Sequence, residues 1–252
     1  MAESNNAPTI SVLSEGCVSD ILSNTSPRDA CRAASISKGF NLAADSDAVW
    51  DRFLPPDHRE VIARAVSPVV FDSKKQLYHR LSESYILLDR GYLGFKLDIE
   101  SGGKCYMLGA RDLSIAWGND TRYWEWGHAT GSRFAEVGIL RNVWWLDIHG
   151  QIASVMLSRK TTYVAYLVYR ITRDSWGLSE PGKTIVSFGG VRNETSNVCL
   201  QQPQPRNDGW MEIELGEFYC DDGDEGEVEM VFQEHHRYKG GLIVEGIELR
   251  PK

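Results

Sequence analysis

Trp117, Trp124 and Trp126 place three of the chain's eight tryptophans within ten residues. Gly118, Asn119 and Asp120 lie between the first and the other two and spell a turn. Indole rings beside a polar turn suit the binding of a sugar ring. The C–H face of the sugar stacks on the indole, while side-chain amides and carboxylates bond its hydroxyls. Asn119 and Asp120 can supply such bonds. The same rings can equally form the wall of a β-core, and both readings stand at this point. Alternation along a strand puts Trp124 and Trp126 on one face and Tyr123 and Glu125 on the other. If Trp124 lines a site, Trp126 must pack near it or the strand must twist. Trp117, at the end of a strand beside the turn, has the position most open to ligand. Trp144 reads as a core residue.

Other chemistry has little support. There is no Gly-x-Ser-x-Gly and no phosphate-binding P-loop, so the chain reads as non-catalytic, with no cofactor. His235 and His236 are adjacent, which on a strand sends them to opposite faces and argues against a metal site. Glu212 and Glu214 share one face of an alternating strand, the ordinary solvent pattern. Ser187 to Gly190 is too short for a phosphate loop and reads as a bulge. A net charge of -8 argues against nucleic acid as a partner, because phosphates are neutralised by a basic surface. Cys17, Cys31, Cys105, Cys199 and Cys220 are scattered, with no CxxC, and Met1 to Pro8 lacks an apolar signal core. Reduced thiols in cytoplasm and nucleus are expected. No run approaches the ~20 apolar residues of a membrane span.

The elements that must position these residues change character near residue 85. Before it, the patterns are helical. Ser19 is expected to cap a first short helix carrying Ile21 and Leu22. Ser26-Pro27-Arg28-Asp29 sets an N-cap, a proline at the first helical position and an acid in the first turn. Gly39 is expected to end that helix. Asp45-Ser46 caps another, with Val49, Trp50 and Phe53, and Pro55 stops it. A helix over 57–65 and one opened by a Ser73–Gln76 capping box follow. From Tyr85 the period is two. Met211, Ile213 and Leu215 share a face, as do Val228, Met230 and Phe232, and Trp144, Leu146 and Ile148. Tyr163 to Tyr169 is apolar on both faces, as in a strand covered on both sides. Clusters of turn residues punctuate these runs, which predicts a β-sandwich or barrel.

Two resemblances add to this. Leu13 to Leu22, then Ser26 to Asp29, then Trp50 and Leu54, resemble the F-box of plant proteins over residues 8–54. That resemblance implies docking on the adaptor subunit of an SCF-type cullin-RING ubiquitin ligase. The candidate contacts are Leu13, Val18, Ile21, Leu22, Pro27 and Val49. The family usually has proline where this chain has Ser14. About forty-five residues make a poor core alone, which fits a helical module that buries a face against a partner.

The segment Ala110 to Trp126, then Arg133 to Val137, Val143 to Ile148, Gly209 to Phe218 and Lys239 to Leu249, resembles the phloem protein 2 family, which includes the Nictaba lectins. The order of the parts resembles the F-box proteins of the phloem protein 2-B group. The resemblance implies a jelly-roll β-sandwich that binds N-acetylglucosamine-containing glycans through two tryptophans seven residues apart, which match Trp117 and Trp124. Acidic residues contribute in that family, and Glu125 and Glu136 are the candidates here.

The expected organisation is a disordered 1–7, an F-box over 8–54, a helical connector over 55–84 and the sandwich over 85–252. The expected function is a non-catalytic ligase adaptor whose sandwich selects glycoprotein clients. The alternatives are a stress-related lectin without a ligase role and an adaptor for an unglycosylated protein. Sandwich edges could pair in a homodimer.

Overall fold

The computed structural model describes residues 13–252; the expected disordered stretch 1–7 and the first residues of the F-box span lie outside them. Six helices come first: α1 (Glu15–Ser23), α2 (Pro27–Ala33), α3 (Lys38–Asp45), α4 (Asp47–Phe53), α5 (His58–Ala63) and α6 (Lys74–Glu83). None is long and apolar enough to cross a membrane.

The caps explain most of their starts. Ser26, Ser46 and Ser73 accept backbone N–H bonds at the heads of α2, α4 and α6, as their sequences predict. Two expectations fail. Ser19 lies buried inside α1, and the cap is Ser14, whose hydroxyl accepts from the Cys17 N–H at 3.4 Å. Ser14 therefore makes a bond that proline could not. Gly39 does not end α2; it lies in the first turn of α3, which Ser37 caps.

The helices close a core of Val18, Leu22, Ala30, Ala44, Val49 and Trp50, with the Trp50 indole donating to the Ala44 carbonyl at 2.6 Å. This core is continuous with that of the β-region, because Leu77 and Leu81 of α6 belong to the same buried cluster as Phe95 and Leu97. Polar contacts tie the seam: Lys104 to Asp57 at 2.6 Å, Arg28 to Glu100 at 2.9 Å, and the Tyr78 hydroxyl donating to the Asp98 carbonyl at 3.2 Å.

Fourteen strands follow: β1 (Ile86–Leu88), β2 (Leu93–Leu97), β3 (Lys104–Gly109), β4 (Ser114–Ile115), β5 (Trp124–Gly127), β6 (Val137–Leu140), β7 (Leu146–Ala153), β8 (Thr161–Trp176), β9 (Gly182–Phe188), β10 (Val191–Val198), β11 (Gln204–Pro205), β12 (Met211–Cys220), β13 (Glu227–Glu234) and β14 (Gly240–Pro251). One sheet runs β1-β2-β3-β14-β8-β12-β11, with β6 also on β14 and β5 on β6; the other runs β10-β9-β13-β7-β4. Every strand pairing among the described residues is antiparallel. The sheets pack face to face. A Cβ at Gly150 of β7 would come within 3.0 Å of Ile247 on β14. The Tyr163–Tyr169 run is buried on both faces at nearly every position, as predicted.

Three strand details differ from expectation. Trp144 precedes β7 and does not share the inward face of Leu146 and Ile148; it is 47% exposed. Gly189 and Gly190 make a hairpin turn rather than a bulge. Phe188 pairs with Val191 across them, and both glycines have positive φ, as a two-residue type I′ turn requires. Glu212 is not on a solvent face. It is buried among Arg206 and Arg250, the latter 2.8 Å away, and Arg206 also binds buried Glu248.

Candidate functional site: an aromatic end of the sandwich

The tryptophan segment is a loop with two posts. β4 pairs with β7, and the ladder ends where the Ala116 N–H donates to the Asp147 carbonyl at 2.9 Å. The chain then reverses. Gly118 N–H returns to the Ile115 carbonyl at 2.9 Å, Asp120 N–H to the Trp117 carbonyl at 2.9 Å, and Trp124 N–H to the Asp120 carbonyl at 3.0 Å. A Cβ at Gly118 would sit 3.0 Å from the Ile115 carbonyl, so the close approach calls for glycine.

Below the loop, the Trp124 indole donates to the Ala116 carbonyl at 3.1 Å and the Trp126 indole to the Gly118 carbonyl at 2.8 Å. Both rings thus lie on one side of β5, as alternation requires, and they hold the loop by its backbone. Trp124 is 1% exposed. Its expected role as a stacking surface for a sugar is corrected: a buried ring has no face to offer. Trp126 is half-buried, and one face is covered by the Arg111 guanidinium at 4.0 Å.

Trp117 is what the loop presents. It is 56% exposed and sits at φ 63°, a left-handed conformation uncommon for a bulky residue. Its ring lies 5.8 Å from Tyr123 at 51°, so the exposed indole has a half-buried neighbour to fix it. Asn119 is exposed beside it.

The candidate acids are already engaged by arginines. Both oxygens of Asp120 accept from Arg122, which holds its carboxyl below the usual range. Glu136 pairs with both arms of Arg111 at 2.9 Å and is likewise lowered. Glu125 pairs with Arg141 at 3.0 Å on the surface.

Further aromatic residues share this end of the sandwich. Arg141 N–H donates to the Tyr123 carbonyl at 2.8 Å, which brings the 141–145 segment alongside the loop. Val143 and Lys239 then exchange backbone bonds. The Trp144 indole donates to the His235 carbonyl at 3.0 Å and meets Tyr238 edge-on at 5.1 Å. Trp145 is 58% exposed, with its ring 5.6 Å from His235. Beneath them Lys239 is fully buried, bonded to the Trp144 and Glu234 carbonyls and 2.8 Å from the Glu234 carboxylate. Burial pulls its ammonium down to about 8. Sequence reasoning missed Trp145, although the Trp144-Trp145 pair was the available signal: two adjacent rings cannot both face one core on a strand.

At the other end of the chain, the six expected adaptor contacts divide. Val18, Leu22, Pro27 and Val49 are buried within the helical module and are corrected to core residues. Leu13 and Ile21 are exposed, Ile21 at 53%. Ile36 and Leu42 are exposed too and were missed. Leu42 stands beside buried Ala43 and Ala44 in α3 and points outward, while Phe40 of the same helix packs against the core.

The geometry can be set beside known proteins. Residues 103–251 match the family model of phloem protein 2. The chain is 43% identical over 248 residues to the putative F-box protein PP2-B12 of Arabidopsis thaliana, covering 95% of this chain and 97% of that protein. It is 40% identical over 255 residues to F-box protein PP2-B10 and 39% over 280 residues to F-box protein PP2-B15 of the same plant. These alignments cover 94% and 96% of this chain, and 92% and 96% of the respective relatives. Among solved structures, a family 35 carbohydrate binding module from Clostridium thermocellum aligns over 57% of this chain and 96% of its own. Its identity is 10% and its TM-score 0.34, too slight a likeness to speak to ligand or fold.

Proposed function

Since the chain belongs to the plant PP2-B group of F-box proteins, we propose that it is a non-catalytic client-selecting adaptor. In this reading the helical module docks the adaptor subunit of an SCF-type ubiquitin ligase in the cytoplasm and nucleus. The sandwich holds N-acetylglucosamine-containing glycans of client proteins at the Trp117 turn, and ubiquitin transfer is left to other subunits.

The observation that carries the reading is the pattern of exposure. The helical module has filled its own core with Val18, Leu22, Val49 and Trp50, yet leaves Leu13, Ile21, Ile36 and Leu42 in solvent. Apolar side chains left in solvent gain free energy by burial against a partner. At the far end Trp117 is handled the same way: Trp124 and Trp126 are spent on fixing the loop, and the ring it carries is left open. A sugar face on that ring would displace water from both surfaces, while Asn119 bonds its hydroxyls. A site this shallow binds weakly; micromolar affinity corresponds to about -8 kcal/mol.

The test uses the full chain. Wild-type protein should co-purify with the ligase adaptor subunit, and the double variant Ile21→Asp, Leu42→Asp should not. Both side chains are about half in water, so each change should cost about 1 kcal/mol or less, and thermal melting checks that the fold is kept. Failure of the wild-type chain to co-purify would overturn the ligase half of the reading and leave a lectin without a ligase role. Glycan binding indifferent to Trp117→Ala would overturn the other half.

A further inference from the structure

Trp117 is a bulky side chain on a left-handed backbone, and such a residue persists only where its surroundings hold it. The loop's hydrogen bonds fix the backbone. Gly118 and Asp120 N–H close the turn on either side of Trp117, and the Trp124 and Trp126 indoles hold the Ala116 and Gly118 carbonyls. None of these bonds involves the Trp117 ring itself. An indole that is 56% exposed can turn about two side-chain torsions unless something stands against it. Its one aromatic contact among the described residues is Tyr123, 5.8 Å away and tilted by 51°.

Tyr123 is itself well held. Its N–H donates to the Asp120 carbonyl at 2.9 Å, and its carbonyl accepts from Arg141 N–H at 2.8 Å. Its side chain is half-buried against the main core. The Arg122 guanidinium lies over the ring, 5.3 Å from the centroid. Asp120 ties Arg122 in that place. One carboxylate oxygen accepts from Nε at 3.0 Å and from the Arg122 backbone N–H at 3.0 Å, and the other accepts from a terminal nitrogen at 2.6 Å. Acid, cation and tyrosine thus lie within four residues, and the chain of contacts ends on the Trp117 ring.

We infer, resting on the glycan reading of Trp117, that Tyr123 is a positioning residue for the sugar site. With the Asp120–Arg122 clasp behind it, Tyr123 holds the Trp117 indole at the angle from which a sugar stacks, and it touches no sugar itself. Asp120 acts through Arg122 rather than on the sugar's hydroxyls.

Stability alone does not account for the clasp. The Arg122 side chain is 75% in water, and an exposed ion pair adds little to a fold. What it constrains is a direction. The size of the effect follows from populations. Without Tyr123 the indole spreads over about three wells of its first torsion and about two of its second. The fraction ready to stack then falls to between about a third and a sixth, and the apparent affinity falls with it. Sugars that differ in one hydroxyl lose the same factor, because the ring has changed and not the hydroxyl contact.

The experiment uses the full chain labelled with 5-fluorotryptophan. Fluorine NMR reads the rings without sugar, the Trp117 signal being the one lost in Trp117→Phe. Calorimetric titration with N-acetylglucosamine and with its 3-deoxy and 4-deoxy derivatives reads binding. Tyr123→Ala should shift and narrow the Trp117 signal and weaken every sugar by the same factor, about three- to sixfold. Tyr123→Phe keeps the ring and should match wild type in both readouts. Asp120→Asn should move both readouts in the same direction as Tyr123→Ala, and should add nothing when combined with it. Thermal melting checks the fold, and Asp120→Asn, a change outside the core, keeps the test open where Tyr123→Ala loosens packing. A Trp117 signal and an affinity unmoved by Tyr123→Ala and Asp120→Asn would overturn the inference. So would a loss of affinity in Tyr123→Phe, which puts the hydroxyl on the sugar, or a further loss from Asp120→Asn once Tyr123 is gone, which puts the acid there. Absence of sugar binding by the wild type would overturn the glycan reading, while the Trp117 signal would still tell whether Tyr123 holds the ring.

Discussion

Replacing Trp117 and Trp124 separately with alanine should give opposite results, though both are tryptophans in one loop. A Trp side chain buries roughly 200 Å² when fully covered. Trp117 is 56% exposed, so at about 25 cal/mol per Å² its covered part is worth about 2 kcal/mol at most. The tilted contact with Tyr123 is the main packing lost. Alanine inherits the left-handed backbone at 117, so that strain is neither relieved nor added.

Trp124 is 1% exposed, and its indole satisfies the Ala116 carbonyl. Truncating a buried Trp costs about 3–5 kcal/mol, and an orphaned acceptor takes the effect to the top of that range. At about 2–4 °C per kcal/mol for a chain of this size, Trp117→Ala should lower the melting temperature by a few degrees and Trp124→Ala by ten or more. Calorimetric melting with glycan titration of the same samples reads both effects. Trp117→Ala should lose sugar binding with its fold intact. Equal destabilisation by the two variants, or sugar binding that survives Trp117→Ala, would refute the division of the loop into posts and platform.

Lys239→Ala removes an ammonium that bonds the Trp144 and Glu234 carbonyls and leaves Glu234 buried without its partner; breaking such a pair costs about 3–5 kcal/mol, visible as a large drop in denaturant midpoint. Asp208 gives a pH signature. Burial opposes its ionisation, but the hydrogen bonds from Arg133 and the Trp210 N–H and the charge of Arg206 outweigh that and take its carboxyl down to about 2 from 3.8. A carboxyl lowered on folding stabilises the fold above its unfolded value; with Asp208 partly in solvent and its ion pairs screened, about 1 kcal/mol should be fully present near neutral pH and lost as pH falls from about 4 to 2. Urea unfolding at pH 6 and at pH 2 should show a smaller loss in Asp208→Asn than in wild type, and equal losses would contradict the assignment. Gly177→Ala would place a Cβ 2.1 Å from the Tyr238 carbonyl at a backbone φ of 71°; it should destabilise by about 2 kcal/mol or more, read as a lower denaturant midpoint.

What the sequence made legible was local. The Ser26-Pro27-Asp29 helix start needs only neighbouring residues, and it stands as read. The inward row Ile213 and Leu215 follows from a period of two and is likewise in place. What misled was set by partners distant in sequence. Glu212 alternates like a solvent residue, yet Arg206 and Arg250 fold over it. Trp117 and Trp124 have equal hydrophobicity and matched spacing; only the left-handed turn at 117 and the acceptor carbonyl of Ala116 separate an offered ring from a structural one. Val18 and Leu22 were read as docking residues because an apolar helix position looks the same facing its own core or a partner. The distinction lay in Ile21 and Leu42, whose neighbours on the same helices had already filled the core.

The central claim is that one chain holds a ligase adaptor at its helical end and a glycan at its aromatic end. The direct measurement is to assemble the full chain with the purified adaptor subunit and pass the complex over immobilised N-acetylglucosamine. The account predicts that chain and adaptor are retained together and elute together with free sugar, and that Trp117→Ala lets the intact complex flow through. A wild-type complex that flows through, or a chain retained on the sugar only when free of the adaptor, would contradict it.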